Sequence, residues 1–463
     1  MHRRLLAATL LIAVAAANAG PRIYPTGVTL YNPAKAWNSY VIFAAPDERT
    51  HLIDMNGNEV RSWKYAGFPS ELLDPKITGG RLGHVLLQTE TVSGSDTSVQ
   101  PGRPNLFRNK TVAEVDWAGN VVWQWGAQAP GGAARQHHDW HRLPNGNTLL
   151  LVNVVHSVPG FAVKDVLDDA IYEVTPRGEL VWKWIASEHL GELGFSAASL
   201  QLIREHSKAD YLHVNDMTAV GPNKWFESGD ARFHPDNVLI DSREGNFVVI
   251  IDKKTGRIAW RLGPDLPSAL ASKRNVPRPA DQFSGQHDAH LIPVGLPGAG
   301  NLLLFDNQGE AGYPPAELAT NSGSRVLEID PTTKQIVWEY AGEDSDRPSW
   351  TFSSTFISSA RRLPNGNTLV DEGMNGRFFQ VTRGGEIVWE FVNPWFAKSV
   401  VGGVKHPVTT NWVYRAQPVP YEWVPVGTPR SEVAVVPPDI TTFRVSPANT
   451  QALTRADATP APR

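Results

Sequence analysis

Seven polar side chains stand at matching places in repeated stretches of this sequence, and their types could bind and transfer an anionic group. They are His138, His213, His287, Asn153, Asn215, Asn307 and Arg243. In the stretch HHDWHRLPNGNTLLLVN, histidine opens one β-rich segment, a Pro/Gly turn follows, and asparagine ends the next segment. The first residues of one strand and the last residues of its hairpin partner lie at the same edge of a sheet. Each such stretch therefore predicts a histidine and an asparagine side by side.

The other copies vary this design. The stretch QHDAHLIPVGLPGAGNLLLFDN repeats it with histidine and asparagine at the same places. In the looser copy at 211–243, His213 and Asn215 lie on the outgoing strand, and Arg243 takes the place of the final asparagine. A further copy, SSARRLPNGNTLVDEG, has Ser358 in place of the histidine. The sequence thus predicts three histidines at equivalent structural positions.

These residue types could bind an oxyanion, and a histidine among them could attack it as a nucleophile. A neutral imidazole is a good nucleophile near pH 7 because its reference pKa is about 6.5. Arginine and asparagine add hydrogen-bond donors, and we expect few carboxylates beside them. Single histidines at strand ends more often serve structure, as His141 and His290 would, whereas clustered titratable groups more often serve function. A metal site is the alternative, since three imidazoles suit zinc or copper, but the charge of Arg243 would oppose a cation.

A second repeated pattern predicts the fold that positions these side chains. Two short β-rich segments joined by a tight turn, with tryptophan on the second segment, occur six times. The six tryptophans are Trp63, Trp123, Trp182, Trp260, Trp338 and Trp389. Where enough sequence intervenes, the hairpin described above precedes each copy, so one unit has four strands. Six such units without a helical period indicate an all-β six-bladed propeller of four-stranded antiparallel blades, in which the tryptophans should be core.

The chain divides into three predicted parts. Residues 1–19 are typical of an export signal, with two arginines, an apolar run and a small-residue cleavage site. Residues 20–425 form the propeller, with blade one drawn from 27–46 and 411–424 packing to close the ring. Residues 426–463 form a C-terminal extension whose end is expected to be disordered. Two long loops, at 186–212 with a short helix and at 264–285, precede histidine-bearing strands and should have a functional role.

Composition excludes several classes of function. The chain has no cysteine, so disulfides, thiol nucleophiles and cysteinyl metal sites are ruled out. The formal net charge is −4 and basic blocks are absent, which gives no support for a nucleic-acid partner. Beyond the N-terminal run, no stretch approaches the roughly 20 apolar residues of a membrane span. The export signal at residues 1–19 predicts a location outside the cytoplasm, periplasmic or extracellular.

The pieces HHDWHRLPNGN, LHVND, LIDSR and QHDAH followed by LLLFDN resemble the PAPS-independent aryl-sulfate sulfotransferases, the arylsulfotransferase family of six-bladed propellers. The resemblance covers most of the chain after residue 27. It implies a ping-pong enzyme without a cofactor that moves a sulfuryl group from an aryl sulfate to a phenol. The nucleophile that becomes sulfated would be His287. His138, His213, Asn215 and Arg243 would hold the sulfuryl oxygens, and His213 would protonate the leaving phenolate.

Two other functions remain open at this stage. One is a metal-dependent or quinone-dependent propeller enzyme, against which the excess of cationic donors argues. The other is a non-catalytic propeller that binds ligands on its long loops.

Overall fold

The computed structural model describes residues 25–91, 109–206, 208–264, 283–313, 315–316, 323–399 and 408–437. Six antiparallel sheets are arranged as a six-bladed β-propeller, which confirms the predicted fold. The turn of the LPNGN hairpins shows why this sequence recurs: Gly146 and Gly366 adopt φ angles of 85° and 89°, which only glycine adopts without strain. The predicted export signal and the end of the C-terminal extension lie outside the described residues, as does most of the loop at 264–285.

The blades are given from the channel outward. Blade one comprises Ala416–Val419, Tyr40–Ala44, Thr50–Ile53 and Glu59–Trp63, and blade two comprises Glu71–Leu72, Val85–Thr91, Asn109–Val115 and Val121–Trp125. Blade three comprises Gln136–Arg142, Thr148–His156, Val166–Val174 and Leu180–Ile185, and blade four comprises Val214–Ala219, Val238–Ser242, Phe247–Ile251 and Ile258–Leu262. Blade five comprises His287–Leu291, Leu302–Asp306, Arg325–Asp330 and Gln335–Tyr340, and blade six comprises Ser359–Arg362, Thr368–Glu372, Arg377–Val381 and Ile387–Val392.

Small elements decorate this frame. Two-stranded ribbons pair Ala311–Gly312 with Pro315–Ala316 and Ala397–Ser399 with Val408–Thr410. The α-helices are Ala197–Glu205 and Lys224–Glu227, and the first confirms the short helix predicted within 186–212. Short 3-10 turns occupy Pro130–Gly132, Ala186–Glu192, Ala231–Phe233, Gly342–Ser345, Ser349–Thr351, Gly373–Asn375 and Tyr421–Trp423. In the part of the chain that the structure describes, no helix has the length and apolar character needed to cross a bilayer.

The two ends of the propeller sequence interlock in neighbouring blades. The segment Gly27–Tyr31, predicted to begin blade one, instead pairs with Ile387–Val392 as a fifth, outer strand of blade six. The innermost strand of blade one is Ala416–Val419, so the prediction that 411–424 closes the ring is confirmed. Tyr31 also exchanges two backbone hydrogen bonds with Val435, of 2.8 and 2.9 Å. The alternation of residues in a strand shows which face is buried but not which sheet edge it joins.

The six repeated tryptophans join each blade to the next. Each indole Nε1 donates a hydrogen bond of 2.8–3.1 Å to a backbone carbonyl in the turn between the two outer strands of the following blade. The acceptors for Trp63, Trp123, Trp182, Trp260, Trp338 and Trp389 are Asp116, Pro176, Lys253, Pro331, Arg383 and Met55. Four of these tryptophans are buried, whereas Trp123 and Trp182 are half-buried. The tryptophans therefore act as core and as ties that run around the whole ring.

Replacing Trp389 by phenylalanine should destabilise the protein more than the same change at Trp123. Trp389 is fully buried and ties blade six to blade one, where the ring closes. Phenylalanine leaves a cavity and a buried carbonyl without its donor, which costs about 2–4 kcal/mol. At half-buried Trp123, water can replace the lost donor, so we expect less than half of that loss. Urea unfolding measures both variants, and equal losses would contradict the argument.

Candidate functional site

Six side chains, one from each innermost strand, meet at one level of the central channel, and we call them the upper ring. The members are Phe68, His138, Asn215, His287, Ser358 and Tyr414. In blades three, four and six, strand pairing gives these residues a common level, because each lies two positions before the residue that pairs with Leu150, Ile240 or Val370. Phe68, Ser358 and Tyr414 come just before the first residue of their innermost strands. Aromatic contacts agree: Tyr414 stacks on Phe68 at 4.0 Å between ring centroids and lies 5.6 Å from His138 and 6.4 Å from His287.

The prediction of three histidines at equivalent positions is wrong for His213. Trp140 faces Leu150 in blade three, and Met217 faces Ile240 in blade four. The equivalent of His138 is therefore Asn215, and His213 lies two residues earlier. The strand bulges at this point, and His213 adopts a positive φ of 52°. Bulges of this kind re-aim side chains, and the ring of His213 comes within 4.6 Å of that of His138.

Asn307 determines the protonation pattern of His287. Its Nδ2 donates to the carbonyls of Ser354 and Ile357, both at 2.7 Å. Its Oδ1 therefore faces the Nδ1 of His287, 2.7 Å away, and accepts a hydrogen bond from the Nδ1–H group. In a neutral imidazole this leaves the lone pair on Nε2. Asn307, predicted to bind substrate, thus has all its polar atoms engaged in orienting His287.

The lone pair of His287 has a backbone partner. The N–H of Ile357 donates to Nε2 at 3.1 Å. Ile357 has a φ of 56°, and the next residue, Ser358, has 94°. Positive φ is a rare and strained conformation for a β-branched residue. The strained segment therefore delivers an N–H group to the nitrogen that would attack a substrate.

The surroundings keep His287 uncharged. The pKa of His287 is lowered to about 3, mainly by burial. The charges of Arg243 and His213 also lower it, whereas the hydrogen bond to Asn307 opposes the shift. Cationic groups thus lie close enough to act on the imidazole. Arg243 is half-buried, and its Nε has no hydrogen-bond partner among the residues that the structure describes. Its Nη1 lies 3.4 Å from Oε1 of Glu244, and Nε remains as a donor for an anion.

Asn215 and Asn153, the remaining predicted residues, differ in position. Asn215 lies in the upper ring, where its Nδ2 donates to the carbonyl of Gln286 at 2.9 Å and its buried Oδ1 finds no partner within the described ranges. Asn153 does not belong to this ring. Its Nδ2 donates to Asp169 at 3.2 Å, and Asp169 lies behind the upper ring, against His137. The structure therefore brings five of the seven predicted side chains together around the channel, with Asn307 and Asn153 supporting them.

A layer of buried charges directly below the upper ring was not predicted. Asp139, Asp216 and Asp288 follow the upper-ring residues of blades three, four and five in the chain. Arg415 of blade one lies among them, with guanidinium nitrogens 2.9 Å from Asp139, 2.7 Å from Asp216 and 3.1 Å from Asp288. The expectation of few carboxylates near the site is thus wrong. The repeated His-Asp and Asn-Asp pairs were a signal for this layer, but its cation comes from a distant part of the chain.

A second polar ring lies three residues further along the innermost strands, and we call it the lower ring. Its members are Glu71, His141, Thr218, His290, Arg361 and Gln417. Arg361 bonds the carboxylate of Asp288, and Nδ1 of His290 lies 2.8 Å from the carbonyl of Asp288. Burial and, as a smaller contribution, the charge of Asp139 raise the pKa of Glu71 to about 8. Within the described residues, no three histidine, aspartate or glutamate side chains are grouped so as to hold a metal ion.

Replacing Glu71 by glutamine should stabilise the protein at alkaline pH and change little in mild acid. Folding raises the pKa of this carboxyl from 4.5 to about 8, so the folded state binds an extra proton between these values. The free energy of unfolding therefore falls as pH rises through this window, by at most about 1.4 kcal/mol per pH unit. Glutamine removes this loss. Thermal unfolding at pH values of about 5 and about 8.5 tests the prediction, and an equal gain at both would contradict it.

Comparison with known proteins relates the chain to one family. The arylsulfotransferase (ASST) profile matches residues 83–415. No curated protein sequence matches. Among solved structures, a protein of unknown function from Bacteroides caccae is 12% identical, with a TM-score of 0.46, covering 83% of this chain and 99% of that one. For hydrazine synthase of Kuenenia stuttgartiensis the values are 10%, 0.38, 72% and 77%. For virginiamycin B lyase of Staphylococcus aureus they are 12%, 0.33, 68% and 67%.

These structural likenesses are remote and carry no argument about function. The family match is of a different kind, because it spans most of the chain and includes the strands and loops that contribute His138, His213 and His287. It supports aryl sulfotransferase activity in general and small aryl molecules as substrates. On this match, the protein is a member of the arylsulfotransferase family.

Proposed function

We propose that this protein is a PAPS-independent aryl-sulfate sulfotransferase that works by a ping-pong mechanism through a sulfohistidine at His287. The observation that carries the proposal is the state of this imidazole. The imidazole is neutral, and its Nδ1–H group donates a hydrogen bond to Asn307. Its lone pair is therefore on Nε2, and cationic donors lie nearby. A neutral, oriented imidazole is a competent nucleophile.

In the first half-reaction, Nε2 of His287 attacks the sulfur of the aryl sulfate, the N–S bond forms and the bond from sulfur to the aryl oxygen breaks. The phenolate leaves and takes up a proton, for which the family resemblance offers His213. In the second half-reaction, the oxygen of an acceptor phenol attacks the sulfur, the N–S bond breaks and the phenol proton returns to the protein. Donor and acceptor use the same pocket in turn, so no nucleotide carrier is needed.

The charge that develops on the sulfuryl oxygens and the leaving oxygen calls for positioned donors rather than further covalent help. Arg243, His138, His213 and the amide of Asn215 are the proposed donors, each stabilising the transition state by about 3–4 kcal/mol if they act as oxyanion-hole donors do. The N–H of Ile357 now donates to Nε2. When Nε2 bonds to sulfur, this N–H is within reach of a sulfuryl oxygen and becomes a further donor.

The test uses purified protein, an aryl sulfate and a phenol acceptor without any added cofactor. Transfer should occur, initial rates at several acceptor concentrations should give the parallel double-reciprocal lines of a ping-pong enzyme, and intact mass should show a sulfuryl adduct when the acceptor is omitted. Transfer that requires a nucleotide donor or an added metal would refute the proposal.

We also propose that the protein acts after export, in the periplasm or outside the cell. The support is the signal-like sequence of residues 1–19. N-terminal sequencing of the mature protein should begin near Gly20, and a mature chain that retains residues 1–19 in the cytoplasm would contradict this.

A further inference from the structure

His137, the neighbour of His138, has no role in the function proposed above, yet it contacts that site directly. It is buried, and its Nδ1 lies 2.8 Å from the Nδ1 of His138. Its other nitrogen, Nε2, lies 3.3 Å from Oδ1 of Asp169. Asp169, His137 and His138 thus stand in a row that ends in the upper ring. Within it, Nε2 of His137 is at ion-pair distance from Asp169 but is not aligned for a hydrogen bond.

Asp169 is held in place from two sides. Its Oδ1 also accepts a hydrogen bond from Nδ2 of Asn153, and its Oδ2 accepts one from the backbone N–H of Val214, at 2.9 Å. Both residues belong to the strands that carry the site. This arrangement gives Asn153, predicted to bind substrate, a different task, because it fixes the carboxylate that faces His137.

Two nitrogens at hydrogen-bond distance share one proton. When His137 is neutral and directs its Nε2 proton at Asp169, its Nδ1 accepts the proton of His138 Nδ1, and the lone pair of His138 is on Nε2. When His137 is the imidazolium, stabilised by Asp169, its Nδ1 donates to His138, and Nε2 of His138 carries a proton. Movement of one proton along the row therefore converts His138 from a base into an acid.

We propose that His137 is a positioning residue which, together with Asp169, allows His138 to give a proton to the leaving phenolate and to recover it from the acceptor phenol. This inference rests on the proposed function, but it assigns to His138 the proton for which the family resemblance offers His213. In the first half-reaction, the Nε2 proton of His138 passes to the phenolate oxygen, and the shared proton moves from His137 to Nδ1 of His138. In the second half-reaction both transfers reverse, so the proton is stored between turnovers and no net proton is exchanged with water.

The neighbourhood suits this task. Phe68 and Tyr414 pack against His138 with ring centroids 5.0 and 5.6 Å away and shield it from water. The other titratable group that faces it is His213, whose Nδ1 lies 2.7 Å from Asp210. The carboxylate partner of His213 differs from that of His137, so the two histidines can be tested separately.

The test compares two donors in the first half-reaction, followed as the burst of released phenol. The phenolate of 4-nitrophenyl sulfate leaves readily without a proton, whereas that of phenyl sulfate needs one. Loss of general acid catalysis typically costs 10²–10⁴-fold. His137→Gln should therefore lower the burst rate with phenyl sulfate by about 100-fold or more, and with 4-nitrophenyl sulfate by less than about 10-fold.

The matched control is His156→Gln. His156 forms another histidine–carboxylate pair in blade three, with Asp168 at 2.8 Å, but it is partly exposed and away from His138. It should leave both burst rates unchanged. If His137→Gln fails to fold, Asp169→Asn provides the same comparison, because it removes the charge that stabilises the imidazolium while keeping the shape.

The outcomes separate this inference from the function on which it rests. Equal losses with the two donors, in His137→Gln or in Asp169→Asn, would overturn the relay while an adduct on His287 in the wild type would still support the transferase. A wild type that forms no adduct with either donor would instead refute the proposed function. A donor-selective loss in Asp210→Asn but not in His137→Gln would assign the proton to His213 and also overturn the relay.

Discussion

Replacement of His287 by asparagine is expected to abolish sulfuryl transfer, with a loss in kcat/KM of about 10⁴-fold or more. The reason is that the imidazole supplies the only bond to sulfur between donor and acceptor, and the asparagine amide is not a nucleophile. The adduct seen by intact mass should disappear together with the burst of phenol. In the wild type, ionisation of His287 should not limit the rate above pH 5 or so, because burial lowers its pKa to about 3.

The matched control for this prediction is His234→Asn. His234 is exposed on blade four and should tolerate the change without loss of rate. Because His287 is buried against Asn307, the unfolding midpoint of the His287 variant must be measured too, and a folded but inactive protein is the expected result. Persistence of the sulfuryl adduct on another residue of the variant would show that the nucleophile has been misassigned.

Replacement of Arg415 by methionine is expected to have the largest effect on stability. Its guanidinium lies among three buried carboxylates, those of Asp139, Asp216 and Asp288. Methionine has a similar length but no charge, so the carboxylates lose their partner while they stay buried. Removal of one partner from a buried ion pair costs about 3–5 kcal/mol. Urea unfolding should show a loss of this size near neutral pH.

The loss should depend on pH in a defined direction. Burial already raises the pKa of Asp216 and of Asp288 in the folded protein, and Arg415 opposes that effect. Without the guanidinium, the pKa of each carboxyl rises further, so the folded state of the variant binds more protons than the unfolded state. Its free energy of unfolding should then increase as pH falls, and the difference from the wild type should shrink in mild acid.

Arg383→Met is the control for charge alone. Arg383 is mostly exposed and lies 3.1 Å from Glu328. Glu328 is buried but also contacts Arg362 at 2.8 Å, so it keeps a cationic partner and the expected loss is less than about 1 kcal/mol. A similar small loss in Arg415→Met would mean that the layer of charges below the upper ring does not hold the innermost strands together.

The sequence was sufficient to predict the number of blades, the hairpins and five of the side chains around the channel. The LPNGN turns need glycine at positive φ, and the strands on each side need alternating apolar residues. Both requirements involve only a few neighbouring residues, so they appear as a repeated pattern in the sequence. The six copies of the tryptophan segment counted the blades for the same reason. His287 and Asn307 could be paired because both ends of a hairpin return to one edge of its sheet.

Other features depended on contacts between distant segments. His213 was placed at the position that Asn215 occupies, two residues away, although the pair Asn215-Asp216 matches His138-Asp139 in the sequence. The contact between the rings of His213 and His138 had no signal in the sequence. Gly27–Tyr31 joined blade six rather than blade one, since an edge strand can pair with any free sheet edge of suitable length. The hydrogen bonds from the tryptophan indoles to the next blade could not be predicted either, because their acceptors are backbone carbonyls, which every residue has.

The sequence by itself therefore determined the repeat, its strands and the chemistry available at the channel mouth. Only the tertiary structure decided that Arg415 neutralises the carboxylates of three other blades, that Ile357 donates to His287, and that His137 links Asp169 to His138. The physical reason is one of range. Turn preference and strand alternation are properties of neighbouring residues, whereas ion pairs and shared protons depend on distances that are set only when the ring closes.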